Sequence, residues 1–159
     1  MNRLEFLARF HHVKTIHPES DFPLNEPGQP AAVLIPLVDN GDNLTVLFTE
    51  RAKHLKHHAG QVSFPGGKQE ATDSDLIHTA LRETEEEIGV PINAIKTLKA
   101  LTQVYIPPSN FYVQPYIGIL RSTPEFVKQE DEVNAIIEVP LTHFLDDNVI
   151  VTKRVSTSY

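Results

Sequence analysis

Apolar and polar positions change period several times along the chain, and each change marks an element. Ala31 to Val38 is a continuous apolar run that predicts a buried strand, despite Pro36. Asp39-Asn40-Gly41-Asp42-Asn43 follows with strong hairpin-turn chemistry, and Leu44 to Glu50 returns as a second strand. Residues 3 to 10 have the spacing of a short amphipathic helix. Pro18, Pro23, Pro27, Gly28 and Pro30 make 17–30 an irregular lead-in. Farther on, Ala94 to Val104 and Tyr112 to Leu120 predict strands, joined by the loop Ile106-Pro107-Pro108-Ser109-Asn110. Asn134 to Val139 predicts one more short strand, and Leu141 to Leu145 the beginning of a helix. No repeat or low-complexity segment interrupts this order.

The helix between these strands has a different character. Ile77, Ala80, Leu81, Thr84 and Ile88 fall on one face at about 100° per residue. Glu83, Glu86 and Glu87 share the adjacent face, while Glu85 points elsewhere, towards solvent. Asp73, Ser74 and Asp75 offer N-caps, and Gly89 ends the helix as a residue able to take positive φ would. Like charges one turn apart destabilise a helix. A solvated helix would intersperse cations, yet only Arg82 is near. Such a cluster makes sense around a hard divalent cation, which takes carboxylate oxygens together with substrate phosphates.

Charge adds a second feature. The chain has 14 Lys and Arg against 21 Asp and Glu, a net charge of −7. That balance argues against a protein that coats nucleic acid. Within it, Arg51, Lys53, His54, Lys56, His57 and His58 form a local basic stretch, followed by Gly60, Gly66 and Gly67. Cations beside a glycine-rich loop suit a phosphorylated ligand, since charge-assisted hydrogen bonds to phosphate are strong. A solvated basic loop is the plain alternative. The histidines do not have the His-Glu-x-x-His spacing of a zinc site, and the chain has no cysteine. At 159 residues and 40% hydrophobic, the chain is long enough for one core and short for two. No apolar run approaches the length of a membrane span, and the first residues lack a signal-peptide pattern. The expectation is a cytoplasmic protein.

The segment Gly67 to Val90 resembles the Nudix box, G-x5-E-x7-R-E-U-x-E-E-x-G-U, with U a bulky apolar residue. Gly67, Arg82, Glu83, Glu86, Glu87, Gly89 and Val90 match it. Asp73 stands where the first glutamate is expected, with one extra residue before Arg82, and Thr84 replaces an apolar residue. Upstream, Leu47-Phe48-Thr49-Glu50-Arg51-Ala52, Lys56, Gly60 and Phe64-Pro65-Gly66-Gly67 are similar to the element that marks the coenzyme A pyrophosphatase branch of that family. That element is roughly L-L-T-x-R-S/A-x3-R-x3-G-x3-F-P-G-G, and Phe48 and Lys56 depart from it. The likeness extends more weakly from about Ala31 to Leu141.

The resemblance implies an α/β fold: an α/β/α sandwich on a mixed β-sheet, with residues 1–30 as a helix and lead-in and 31–159 as the Nudix domain. It also implies a further strand and a second packing helix after Glu138-Val139-Pro140-Leu141. The last residues here are polar and aperiodic, so the expected sandwich lacks both. The implied activity is hydrolysis of the pyrophosphate bond of coenzyme A or acyl-coenzyme A, giving 3′,5′-adenosine bisphosphate and (acyl-)phosphopantetheine. Glu83, Glu86 and Glu87 would hold Mg²⁺ or Mn²⁺. Arg82 would orient those carboxylates. Glu132, preferred over Glu130 and Asp131 because it precedes Val133 as in the branch's E-V pair, would be the base or an extra ligand. Arg51, Lys56, Gly60, Gly66 and Gly67 would bind substrate. The implied partner is a small molecule of the coenzyme A type, with neither nucleic acid nor membrane, and the branch admits a homodimer. Two alternatives stand beside this: hydrolysis of another nucleoside diphosphate derivative such as ADP-ribose, and a non-catalytic binding module.

Overall fold

The computed structural model describes residues 1–12, 28–120 and 125–154. The lead-in expected over 17–30 lies mostly outside them, as does the end of the chain from residue 155. Among the described residues, two α-helices, α1 (Arg3–Phe10) and α2 (Leu76–Ile88), lie among eight strands. The strands are β1 (Gln29–Asp39), β2 (Leu44–Arg51), β3 (Val62–Ser63), β4 (Gly66–Lys68), β5 (Ile95–Ala100), β6 (Val104–Ile106), β7 (Phe111–Leu120) and β8 (Val133–Pro140). All eight join one mixed sheet.

β1 is its spine. It runs parallel to β7 from Gln29↔Phe111 to Val38↔Leu120. On its other side it changes partner. Ala31 to Val33 pair with β4, and Leu37 to Asp39 pair with β2. Pro36 sits in the interval between these ladders, where its missing N–H breaks no pairing. Beyond the short β1–β2 ladder, Thr49 and Glu50 of β2 pair instead with Ser63 and Val62 of β3. The sheet therefore forks, and the segment from β3 to β4 fills the opening. Leu34 N–H donates to the carbonyl of Pro65 at 2.9 Å, which ties that segment to β1. β8 closes the far side of β2.

Strand alternation sorts the core into two layers, as successive side chains point to opposite faces. Ala32, Leu34 and Val38 of β1, Leu47 of β2, and Tyr116 and Leu120 of β7 pack with Ala80 and Ile88 of α2. Leu37, Leu44, Val46, Ile117 and Ile119 form the other layer, against which Phe6, Leu7 and Phe10 of α1 pack. The sheet thus has a helix on each face: the fold class is the expected α/β on a mixed sheet, but the second face, expected to lack its packing helix, is covered by α1. Asn2 caps α1 by accepting from Glu5 N–H at 2.9 Å. The Met1 carbonyl accepts from Leu44 N–H, which docks the start of the helix beside the hairpin. No helix among the described residues is long and apolar enough to cross a membrane.

Three expectations need correction. The strand expected over Ala94 to Val104 is broken into β5 and β6, both paired with β7. The break lies opposite Gln114 and Pro115, where proline has no N–H for a ladder, and the Gln114 side chain donates instead to the Leu101 carbonyl at 2.7 Å. Leu141–Leu145 forms a 3₁₀ turn rather than the start of a longer helix. Ile77 is 39% exposed although its angular position matches that of Ile88. It lies in the first turn of α2, before burial begins at Thr79.

Candidate active site

α2 is fixed at both ends by local chemistry. Of the three candidate caps, Asp75 is the N-cap, accepting from His78 N–H at 2.8 Å. Gly89 ends the helix in the left-handed region at φ 72°, its N–H donating to the Glu85 carbonyl. Ala80, Thr84 and Ile88, four residues apart, make the fully buried stripe. Thr84 is tolerated there because its hydroxyl donates to the Ala80 carbonyl at 2.7 Å, leaving its methyl to pack. Glu83 and Glu87 flank that stripe and are half-buried, whereas Glu86 stands on the outer side and Glu85 is exposed.

Asp73 has a different task from capping. Its side chain has no solvent exposure. Oδ1 accepts from Arg82 Nε and from His78 Nδ1, both at 2.9 Å. Oδ2 accepts from Arg82 Nη2 at 3.0 Å, and from Thr79 Oγ1 and Glu70 N–H, both at 2.9 Å. A carboxylate only accepts, so His78 must carry its proton on Nδ1. Arg82 beside it holds the Asp73 carboxyl far below the usual range, despite burial. Anchored this way, Arg82 extends Nη1 to Glu83 at 3.1 Å and to Glu86 at 3.0 Å.

The fork in the sheet sets the floor. Gly66 has φ 157°, and a Cβ there would run into the Ala32 carbonyl and Val33 of β1. A Cβ on Gly67 would run into the Glu83 carboxylate. The backbone therefore lies directly against the acidic face of α2, with the Gly66 N–H on the side of Glu87, where it favours the charged carboxylate. Burial first, then the neighbouring Glu83 and Glu132, push the Glu87 carboxyl up to about 8, while Gly66 and Arg51 pull the other way. Burial also raises Glu83, against the opposing Arg82, with Glu86 and Glu132 adding to the rise.

Two other segments complete the wall. The loop before β8 brings Gln129 and Glu132 beside Glu86 and Glu87, round a cleft of about 270 Å³. Arg51, at the end of β2, is half-buried with its Nε donating to the His57 carbonyl at 3.0 Å. Its backbone closes the following loop, pairing with Gln61 and Gly60. Ala52 N–H donates to the Glu132 carbonyl at 2.8 Å, so Arg51 and Glu132 share one corner. Lys56 is exposed, well outside this corner's hydrogen bonds, and Gly60 sits at the base of its loop. Of the residues expected to act together, the structure gathers Arg51, Gly66, Gly67, Arg82, Glu83, Glu86, Glu87 and Glu132. Lys56 and Gly60 lie on the adjoining loop.

The donor set fits a hard divalent cation in its chemistry. All donors are carboxylate oxygens, and their mutual repulsion is what a positive ion would offset. As placed, no three acidic or histidine side chains among the described residues are gathered tightly enough to enclose an ion. Arg82 engages both Glu83 and Glu86.

A family model described as the NUDIX domain matches residues 28–156. The chain belongs to the Nudix family. An uncharacterized Nudix hydrolase NudL of Yersinia enterocolitica is 46% identical over 111 residues, covering 70% of this chain and 56% of that protein. The NudL protein of Yersinia pestis is 42% identical over 111 residues, covering 70% and 55%. The chain thus spans little more than half the length of the curated relatives it matches. Among solved structures, a Caenorhabditis elegans Ap4A hydrolase in a binary complex superposes with a TM-score of 0.60 at 16% identity, covering 74% of this chain and 83% of that one. The Nudix domain of Shewanella oneidensis NrtR, bound to ADP ribose, gives 0.55 at 20% identity, covering 91% and 87%. These likenesses are of fold. Nudix hydrolases generally depend on a divalent metal, in keeping with the oxygen donors here. Within this Nudix site, Gln129 carries no motif in the sequence, and only its position just before Glu132 could have drawn notice. Asp73 was visible as a motif position, but its five accepted hydrogen bonds were not.

Proposed function

We propose that the protein hydrolyses the pyrophosphate bond of coenzyme A or acyl-coenzyme A, releasing 3′,5′-adenosine bisphosphate and (acyl-)phosphopantetheine. One juxtaposition carries the hydrolytic reading: Arg51 and Glu132 meet at one corner, across from Glu87 and the Gly66 N–H. A pyrophosphate needs positive charge on its oxygens, and water needs a proton acceptor as it attacks phosphorus. In this reading Glu83, Glu86 and Glu87 hold Mg²⁺ or Mn²⁺. A divalent cation bound there supplies charge neutralisation and an acidified water. Arg82, anchored on Asp73, orients Glu83 and Glu86. Glu132 accepts the proton of the attacking water as the bridging P–O bond breaks. Arg51 and the glycine-rich turn of Gly66 and Gly67 lie against the phosphates.

The coenzyme A assignment is supported by the element from Leu47 to Gly67, whose basic loop adjoins the same corner. Lys56 and its neighbours would meet the 3′-phosphate. The test is release of adenosine bisphosphate from coenzyme A with Mg²⁺, alongside dephospho-coenzyme A and ADP-ribose. We expect kcat/KM for dephospho-coenzyme A to fall about tenfold or more, the size of one lost charge-assisted contact. Lys56→Ala should narrow that gap. Equal use of coenzyme A and dephospho-coenzyme A refutes the loop's role. Turnover of ADP-ribose alone moves the substrate class, and turnover of none of the three supports a binding module.

A further inference from the structure

We infer that Gln129 is a positioning residue that holds Glu132 in the cleft; the catalytic consequence rests on the role proposed above for Glu132. The problem it solves is electrostatic. Glu132 faces Glu87 and Glu83, and its charge contributes to the raised pKa of both. Carboxylates that repel one another separate unless the backbone beneath them is fixed. The loop before β8 has little regular structure of its own, so the restraint must come from particular hydrogen bonds.

Gln129 supplies them on both sides. Its backbone N–H donates to the Glu87 carbonyl at 3.0 Å, just as Val127 N–H donates to Ile88 at 3.0 Å. The loop is thereby laid across the last turn of α2. Gly89 permits that approach, since a Cβ there would meet the Val127 backbone at 2.9 Å. The Gln129 side chain then turns back, and Oε1 accepts from Glu132 N–H at 2.8 Å. The Gln129 carbonyl accepts from Val133 N–H at 2.8 Å, and more weakly from Glu132 N–H at 3.1 Å. On the opposite side the Glu132 carbonyl is held by Ala52. One residue thus ties the backbone of Glu87 to that of Glu132, and its side chain lines the cleft between them. Because Glu132 N–H can only donate, the amide orientation of Gln129 follows from the bond itself.

Two measurements test this. The first is amide exchange of Glu132 in the intact chain. Gln129→Ala should speed it about tenfold or more, as loss of one hydrogen bond opens the site locally. Gln129→Glu retains an acceptor and should keep exchange slow. The amide of Ile137, held in the β8 ladder opposite Phe48, serves as the control and should not change. Unchanged Glu132 exchange in Gln129→Ala overturns the inference. The second is a kinetic cycle on the substrate turned over best. Gln129→Ala should lower kcat about tenfold with KM nearly unchanged, and should have no further effect once Glu132→Gln is present. An equal loss in both backgrounds overturns action through Glu132. Normal turnover by Glu132→Gln alone would instead remove the proposed base, while the exchange measurement still decides whether Gln129 holds the turn.

Discussion

Replacing Asp73 by Asn tests the organisation of the site at its root. The carboxylate accepts from Arg82 twice, from His78, from Thr79 and from Glu70 N–H. An amide offers one oxygen, so at least two of these donors would face an NH₂ group instead. Removing one member of a buried, hydrogen-bonded ion pair costs about 3–5 kcal/mol. Arg82 would retain Glu83, Glu86 and the Lys68 carbonyl and is itself 14% exposed, so the lower end, about 3 kcal/mol, applies here. At this chain length that lowers Tm by about 6–12 °C. The pH dependence has a definite sign. The folded Asp73 carboxyl is held far below its unfolded value, so its contribution is complete above about pH 5 and is lost progressively as pH falls further. The gap between the parent and Asp73→Asn should be flat from pH 5 to 8. It should shrink by about 1 kcal/mol by pH 3. Urea unfolding across this range measures both terms. A Tm within about 2 °C of the parent, or a gap of unchanged size at pH 3, would refute the account of Asp73 as the anchor of Arg82.

Other substitutions separate chemistry from architecture. Glu86→Gln and Glu87→Gln should each lower turnover by about 10²–10⁴ at saturating Mg²⁺. Glu87→Gln should leave thermal stability equal or higher, because burial and its acidic neighbours already disfavour the charged form; near-normal turnover by both would make the acidic face an ordinary surface. Gly67→Ala should displace the flexible Glu83 side chain and reduce activity while the protein stays folded. Gly66→Ala meets β1 backbone at a φ that side chains rarely adopt, so it should lower Tm as well, and equal melting of the two alanine variants would contradict the fork described here.

Much of this was legible in the sequence because it rests on short-range rules. The helix from Leu76 to Ile88 followed from its spacing, its acidic N-cap and Gly89. The strands β1, β2, β7 and β8 lie within a residue or two of the apolar runs that predict them. What stayed hidden depends on tertiary partners. Asp73 and Asp75 look interchangeable as caps, and only the position of Arg82 assigns the buried network to one of them. Ile77 satisfies the helical period but lies where α2 has little to pack against. Gln129 bonds to main-chain atoms of Glu87, Glu132 and Val133, and main-chain contacts leave no residue type at position 129 that the sequence would flag. That α1 covers the second face could not be read from its own amphipathicity, since a lone short helix does not say which sheet it will meet.

Two prolines that look like defects in strands explain how the acidic and basic segments come together. Pro36 of β1 and Pro115 of β7 each sit where one neighbouring strand ends and another begins. A central strand normally loses stability from a missing N–H. Here the missing donor falls between ladders, so nothing is left unpaired and the sheet can change partners without a buried orphan. At Pro36 the consequence is functional. β2 parts from β1, and Phe64 to Lys68 enters the gap from the side of β3. That entry carries Gly66 and Gly67 under α2, against Glu87 and Glu83. The same divergence leaves the far end of β2 free to deliver Arg51 to the corner where β8 begins with Glu132 beside it. Had β1 and β2 stayed paired along their length, the glycine-rich turn would have had no edge of β1 to join.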